Sequence, residues 1–291
     1  MVVITVSGGK GGTGKTLVAA SIALEASSSS RVLLVDLDAD NPCVATLLGV
    51  KTQVVRDIVA PSPMFVEDKC VLCGACAEVC PAGALAVIPG RLLFIQTLCE
   101  GCMACAYVCR QGAIRRGVRA LGWMRKGSMG NLDLLVAEAR AGERRTGDVA
   151  EEVLKEALSI AGSYDILVID TPAGTSRVIK RALDVADIVV LVTEPTKLGI
   201  HDLRRILGMV KLERTVVVVN KYGMPGGVHE ELSQVLRELG IQSLAVPYDA
   251  RVAKAYSGKL REFLESGEKV GLSLKRVYYV LEKKASLFLK E

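Results

Sequence analysis

The chain has 291 residues, a formal net charge of +5 and a hydrophobic content of 50%. No apolar run is long enough to cross a bilayer, and Met1 leads straight into the strand-like residues 2–6 with no basic-then-apolar leader. The expectation is a cytoplasmic protein of one large or two smaller domains, too mildly basic for charge alone to name a nucleic acid or a membrane as partner.

Residues 2–16 read VVITVSGGKGGTGKT. A β-branched strand runs into a glycine-rich loop and then into a helix beginning near Lys15. Gly9, Lys10, Gly11, Gly12, Thr13, Gly14, Lys15 and Thr16 fit G-x-x-x-x-G-K-[ST], the phosphate loop, in the strand-to-helix context that such a loop requires. Glycines let backbone N–H groups approach phosphates, and the helix N-terminus favours negative charge. Lys15 is expected to reach the β- and γ-phosphates and the Thr16 hydroxyl to bind Mg²⁺. Residues 31–36 (RVLLVD) form the next buried strand, apolar as parallel strands are. It ends in Asp36-Leu37-Asp38-Ala39-Asp40, at the carboxyl end where active groups of such sheets collect. Cys43, which follows, reads as a small buried hydrophobe.

Eight of the nine cysteines lie in two runs, Cys70, Cys73, Cys76, Cys80 and Cys99, Cys102, Cys105, Cys109. Both read C-x2-C-x2-C-x3-C, a spacing that wraps three thiolates round one iron–sulfur cube and sends the fourth to its neighbour. One [4Fe–4S] cluster is then expected on Cys70, Cys73, Cys76 and Cys109, the other on Cys99, Cys102, Cys105 and Cys80. Structural zinc uses pairs of ligands, disulfides need an oxidising compartment, and buried free thiols would not repeat one spacing. The runs match around their ligands, Gly74-Ala75 answering Met103-Ala104 and residues 82–84 answering 111–113. This internal duplication resembles the bacterial two-cluster ferredoxins, with one departure: Pro81 follows the first fourth cysteine, Arg110 the second, and the missing proline is expected to loosen that turn. Pro61 and Pro63 mark the expected entry to this segment, and residues 91–95 a short strand within it. From 101 to 132 there is no acidic residue, while Arg110, Arg115, Arg116, Arg119, Arg125 and Lys126 all fall there. Charge of one sign suits docking of an acidic redox partner, or equally serves to offset the anionic clusters with ordinary solvated arginines. DNA is a weaker third reading, since aromatic and recognition-helix signals are absent.

Residues 131–136 (NLDLLV) read as a strand re-entering the nucleotide domain, and 150–161 as an amphipathic helix. In YDILVIDTPAG, residues 164–174, four apolar residues precede Asp170, the Walker B pattern whose aspartate holds the Mg²⁺ shell. Strands follow at 187–193 and 214–220. The helix near 272–289 carries a stripe of Leu274, Val277, Tyr278, Leu281, Ala285 and Phe288, which at this spacing closes a core more often than it binds a membrane.

The loop GKGGTGKT with its early lysine, the D-x-D after the second strand and the D-T-P-A-G after the Walker B strand together resemble the MinD, ParA, Mrp and nitrogenase iron-protein superfamily. With residues 61–117 inserted, the chain is similar to its members that carry a ferredoxin domain. The resemblance implies an α/β fold, a doubly wound and mainly parallel sheet formed by residues 1–60 and 118–291, interrupted by a small ferredoxin-like α+β domain at 61–117. It implies binding of ATP or ADP and Mg-dependent hydrolysis, with Lys10 reaching the nucleotide of a partner subunit in a homodimer. By the same likeness Asp38 positions the attacking water, Asn220 contacts the adenine edge, and Pro247 and Asp249 lie in the other base-side loop. The function implied is an ATPase whose nucleotide-dependent dimer is coupled to electron transfer through two clusters. A cluster or metal-centre carrier of the Mrp type is the alternative, and a positioning ATPase on DNA or membrane would leave the cysteines unexplained.

Overall fold

The computed structural model describes residues 1–288. Among them the strands are β1 (Val2–Ser7), β2 (Val32–Asp36), β3 (Gln53–Phe65), β4 (Leu85–Ile88), β5 (Arg91–Phe94), β6 (Ile114–Met129), β7 (Leu132–Ala139), β8 (Ile166–Asp170), β9 (Ile188–Thr193), β10 (Thr215–Tyr222) and β11 (Ser243–Pro247). The helices are α1 (Lys15–Ala26), α2 (Val44–Leu48), α3 (Ala75–Glu78), α4 (Ala104–Val108), α5 (Thr146–Ile160), α6 (Arg177–Asp184), α7 (Lys197–Leu207), α8 (His229–Glu238), α9 (Leu260–Glu265) and α10 (Lys269–Phe288).

Nine strands form one sheet in the order β11-β10-β9-β1-β8-β2-β7-β6-β3. From β11 to β7 every neighbour pair is parallel; β6 and β3 extend the sheet as antiparallel neighbours. The apolar runs are explained by burial on both faces. Leu33 and Val35 of β2 join one core with α5, α6, α7 and α8, while Val32 and Leu34 join the other with α1, α2, α9 and α10. Helix α1 buries ten of its twelve residues, which is why it shows no amphipathic stripe. On α10, Leu274, Val277, Tyr278 and Leu281 are at most 5% exposed, so this face closes the core. The Phe288 side chain of the expected stripe, and Leu289 at the end of the expected helix, lie outside the described residues. No described helix is long and apolar enough to cross a membrane.

The main surprise is the ribbon of β3 and β6. Pro61 and Pro63 do not sit in a linker; they lie inside a 13-residue strand, opposite Val118 and Arg116. Two residues apart, they share one side of the strand, and an edge strand tolerates their missing N–H groups. The chain therefore re-enters the body through β6, well before residue 131. Only residues 122–129 of β6 also pair with β7, so its first half and residues 58–65 of β3 project as a two-stranded arm. The 60/61 and 117/118 divisions fall within this arm. At its tip lie the two cysteine runs, α3, α4 and the β4–β5 hairpin, around a small core of Leu85, Cys105 and Ile114.

Two of the basic residues of 101–132 serve the fold. The Arg119 guanidinium pairs with the Glu143 carboxylate, their side chains 9% and 3% exposed, and Arg125 bonds Thr52 and pairs with Glu138 at 3.2 Å. Glu143 Oε1 also accepts from the backbone N–H groups of Arg144 at 3.0 Å and Arg145 at 2.9 Å, just before α5. One carboxylate thus ties the arm to the start of a core helix. Removing one partner of a buried pair strands the other charge, so Glu143→Ala is expected to cost about 3–5 kcal/mol. Urea unfolding followed at Trp123, the sole tryptophan, reads this; a loss below about 1 kcal/mol would give the pair the value of a surface ion pair.

Candidate functional site

The parallel register brings the site together. Asp170 at the end of β8 faces Val6 of β1 on one side and Asp36 of β2 on the other. The loop of Gly9, Lys10, Gly11, Gly12, Thr13 and Gly14 leaves β1 at this level and delivers Lys15 and Thr16 on the first turn of α1. Gly14 has φ +94°, and a Cβ there would lie 2.3 Å from Asn220 Nδ2, so only glycine fits. Asn220 Nδ2 donates to the Thr13 carbonyl at 2.8 Å. The residue expected at the adenine edge therefore uses its amide to brace the phosphate loop, because the end of β10 lies directly against it.

Lys15 is 7% exposed and its Nζ donates to the Lys10 carbonyl at 3.1 Å. Burial lowers its pKa, opposed by the Asp170 and Asp38 carboxylates. Asp170 is 1% exposed, and neither of its carboxylate oxygens has a hydrogen-bond partner among the described residues. Burial, then the neighbouring Asp36, raises its pKa well above the ordinary range. A buried acceptor pair with no donor, beside the Thr16 hydroxyl, is the chemistry a hard cation such as Mg²⁺ satisfies.

The three acidic residues after β2 divide by environment. Asp36 is a structural anchor: its carboxylate accepts from the N–H groups of Asp38, Cys43 and Val44 at 3.1, 3.0 and 3.0 Å. Burial nonetheless raises its pKa to about 7. Asp38 is half-buried, with its pKa raised by burial and lowered by the Asn41 N–H and by Lys15. Asp40 is exposed. Cys43 is not a buried hydrophobe. It is half-buried at the site, and burial with the Asp36 and Asp170 carboxylates pushes its thiol up to about 11. Sequence reasoning missed its location because nothing in its own neighbourhood marks the turn that Asp36 builds.

Two further residues were not legible as site residues. Glu194, 4% exposed just past β9, binds Lys10 Nζ at 2.6 Å and Lys221 Nζ at 2.7 Å. Lys221 Nζ also donates to the Gly12 carbonyl at 2.9 Å. Burial pushes the Glu194 carboxyl up, but the two ammonium groups outweigh this and hold it below its usual value. Both lie at strand ends bordering the P-loop, a position that only the sheet order reveals. Pro247 ends β11 opposite Tyr222, and Asp249 is held by Arg251 at 2.6 Å, which keeps its carboxyl at about 2.

At the tip of the arm the cysteines surround two small clefts. Cys80, Cys99, Cys102 and Cys105 line one; Cys70, Cys73, Cys76 and Cys109 line the other. Among the described residues no three His, Cys, Asp or Glu side chains converge closely enough for a single metal ion. The backbone of the two runs repeats as their sequence does. Short 3-10 turns at Glu67–Lys69 and Gln96–Leu98 precede each run, and α3 and α4 follow left-handed residues, Gly74 at φ 82° and Met103 at φ 63°. Two residues after each first cysteine stand Leu72 at φ 54° and Gly101 at φ 71°. Non-glycine residues held there mark backbone that the surroundings over-determine. The turn after Cys109 is not loosened: Gly112 N–H reaches the Cys109 carbonyl at 3.0 Å, as Gly83 reaches Cys80 at 3.1 Å, so the αL glycine closes it without proline. Gly101 packs on the arm, where a Cβ would lie 2.4 Å from the Pro61 carbonyl and 2.7 Å from Arg145 Nη1.

An unpartnered buried carboxylate is costly, so Asp170→Asn is expected to stabilise the metal-free protein by about 2 kcal/mol at pH 8 while removing hydrolysis. The folded pKa of Asp170 is raised, so wild-type stability is complete below the unfolded-state pKa and is lost as pH rises through the folded one. The gain must therefore shrink at pH 4. Thermal melts in chelator at both pH values test this; an equal gain at both would show that charge is not its source.

Residues 4–262 match the family described as the CobQ/CobB/MinD/ParA nucleotide binding domain. An uncharacterized protein of Methanocaldococcus jannaschii is 32% identical over 88% of this chain and 89% of its own length. The septum site-determining protein MinD of Bacillus subtilis is 22% identical over 84% of this chain and 75% of its own. Among solved structures, the cell division ATPase MinD of Pyrococcus furiosus superimposes with a TM-score of 0.58 at 19% identity, covering 97% of this chain and 98% of its own. MinD of Pyrococcus horikoshii, complexed with Mg-ADP, gives 0.57 at 18% identity and 98% coverage of both chains. At these identities the structural likeness is one of fold. The family match rests on a stretch that runs from β1 into α9 and takes in the phosphate loop, Asp38, Asp170 and Asn220: this chain belongs to the CobQ/CobB/MinD/ParA family of nucleotide-binding ATPases.

Proposed function

We propose that the chain hydrolyses ATP with Mg²⁺ and that its nucleotide-dependent homodimer is coupled to electron transfer through two [4Fe–4S] clusters held by residues 61–117. The observation that carries this reading is the grouping of eight cysteines, four from each side of the cross-ligation rule, around two separate clefts on the same chain as the phosphate loop. A four-iron cube spreads its thiolates, one to each iron, so ligands ringing a cleft fit a cluster better than a single ion.

Each residue has a task in this reading. Backbone N–H groups of Gly9 to Thr16 and the Lys15 ammonium hold the phosphates, and Thr16 with Asp170 holds the Mg²⁺, which neutralises charge on the transferring phosphoryl group. Asp38 accepts a hydrogen bond from the attacking water and orients it. Lys10, supplied by a second subunit, adds positive charge in the manner of an arginine finger. Asn220 fixes the loop that does this work. The clusters supply one-electron chemistry, and Cys70, Cys73, Cys76 and Cys109, with Cys99, Cys102, Cys105 and Cys80, hold them. A redox protein is the partner the reading requires. Eight ligands interlocked between two runs favour clusters that stay in place over clusters in transit to another protein.

Anaerobically purified protein is expected to carry about eight irons and eight sulfides per chain, as two cubes require. Cys80→Ala is expected to remove the EPR signal of the cluster bound mainly by the second run; loss of the first-run signal alone would reverse the ligand assignment. Coupling is read by EPR-monitored redox titration with and without Mg-ATP. A shift of at least one potential on adding ATP supports it, and identical potentials in both states would make the clusters and the ATPase independent. In sedimentation, Asp38→Ala with ATP is expected to dimerise, and Lys10→Ala in addition to abolish the dimer while ADP binding survives.

A further inference from the structure

One carboxylate holds two lysines at the mouth of the phosphate loop, and neither the family match nor the loop motif accounts for it. Glu194 sits at the carboxyl end of β9, where the sheet order places it beside the loop leaving β1. Its side chain is 6% exposed, and its two oxygens are used separately: Oε1 accepts from Lys10 Nζ at 2.6 Å and Oε2 from Lys221 Nζ at 2.7 Å. Lys221 turns back to reach it. It is in the left-handed region at φ 55°, and its ammonium is shared between Glu194 and the Gly12 carbonyl at 2.9 Å. A non-glycine residue in that conformation persists only when contacts elsewhere hold it, and here those contacts are the loop and Glu194. The Lys10 side chain is 32% exposed, so its stem is accessible to solvent while its charged end is tethered.

We propose that Glu194 is the positioning residue for Lys10, holding this lysine against its own subunit until a nucleotide-loaded second copy competes for it. The inference rests on the dimer reading above, in which Lys10 acts across subunits. The physical basis is charge-assisted hydrogen bonding to a buried acceptor, which is shorter and stronger than a neutral pair. A lysine so held is not free to enter another subunit's site, and every contact it makes there must exceed the one it leaves. The second lysine makes the arrangement reversible. When Lys10 departs, Lys221 still neutralises Glu194, so no buried charge is stranded. The apparent affinity of the dimer for ATP is then scaled down by the fraction of Lys10 that is free to leave.

Glu194→Gln keeps the shape and removes the charge. The first readout needs no dimer: peptide-resolved acylation of the Lys10 amine by an N-hydroxysuccinimide ester in the nucleotide-free monomer. The variant is expected to raise the Lys10 rate several-fold, with the rates of exposed lysines elsewhere unchanged. The second readout is the ATP concentration at half-maximal dimer, measured by sedimentation. It is expected to fall by up to about tenfold while ADP affinity and cluster content stay as in wild type. Should Glu194→Gln not fold, Glu194→Asp keeps the charge one methylene short of both ammonium groups and is expected to raise Lys10 reactivity in the same assay. Unchanged Lys10 reactivity overturns the tether. So does a dimer midpoint that stays the same or rises while Lys10 has become reactive. If the wild type forms no dimer with ATP, the dimer reading fails and the tether is judged by acylation alone.

Discussion

Three parallel strands ending at one level govern the rest of the molecule. Because β1, β8 and β2 are neighbours, the loop after Val6, the carboxylate of Asp170 and the turn after Asp36 must share one small volume. That crowding has a cost, since two carboxylates and a lysine are taken largely out of water together. It is met in different ways. Asp36 is repaid by three backbone N–H groups and Lys15 by a carbonyl and nearby carboxylates, while Asp170 has only the neighbouring Lys15 charge and Thr16 hydroxyl, which burial outweighs. The residue left without a hydrogen bond is the one proposed above to hold the cation. The site is thus a place where stability is given up locally for a ligand, and two apolar cores on either side of the sheet carry that loss.

The same sheet also builds the arm. Adding β6 antiparallel to β7, and β3 antiparallel to β6, extends the sheet edge into a ribbon that carries the cysteine runs at its end, without any flexible linker. Its root is fixed by Arg119, Glu143 and the backbone at the start of α5. Near its tip, Gly101 lies against the Pro61 carbonyl and Arg145. The two clefts consequently have different surroundings, since Pro63 and the Gly101 loop line only one of them.

How much of this was legible in the sequence follows from how local each signal is. The phosphate loop is a contiguous pattern, and the structure places it in the strand-to-helix turn that the pattern requires, between β1 and α1. The buried strands could be read directly, because burial on both faces leaves an unbroken apolar run. Pro61 and Pro63 misled, since proline reads as a boundary unless the strand is known to lie at an edge. Arg119 and Arg125 looked like free surface charge because their partners Glu143 and Glu138 are at least 13 residues away along the chain. Glu194 and Lys221 belong to no motif at all. Their role comes from β9 standing beside β1 and β10 beside β9, which is a fact of topology, as is the hydrogen bond from the Asn220 amide to the Thr13 carbonyl.

The arm also has an architectural meaning. The cysteine-bearing stretch leaves the sheet after Phe65 and returns at Ile114, and these two residues are direct cross-strand partners. A stretch that begins and ends at neighbouring positions of a hairpin is topologically a long loop between two strands. A tight two-residue turn could close the same ribbon in its place, leaving the nine-stranded body connected as before. Viewed this way the nine-stranded scaffold is complete without its cysteine-bearing tip. The hairpin is a graft point, where one inserted module can replace another at little cost to the chain that carries it.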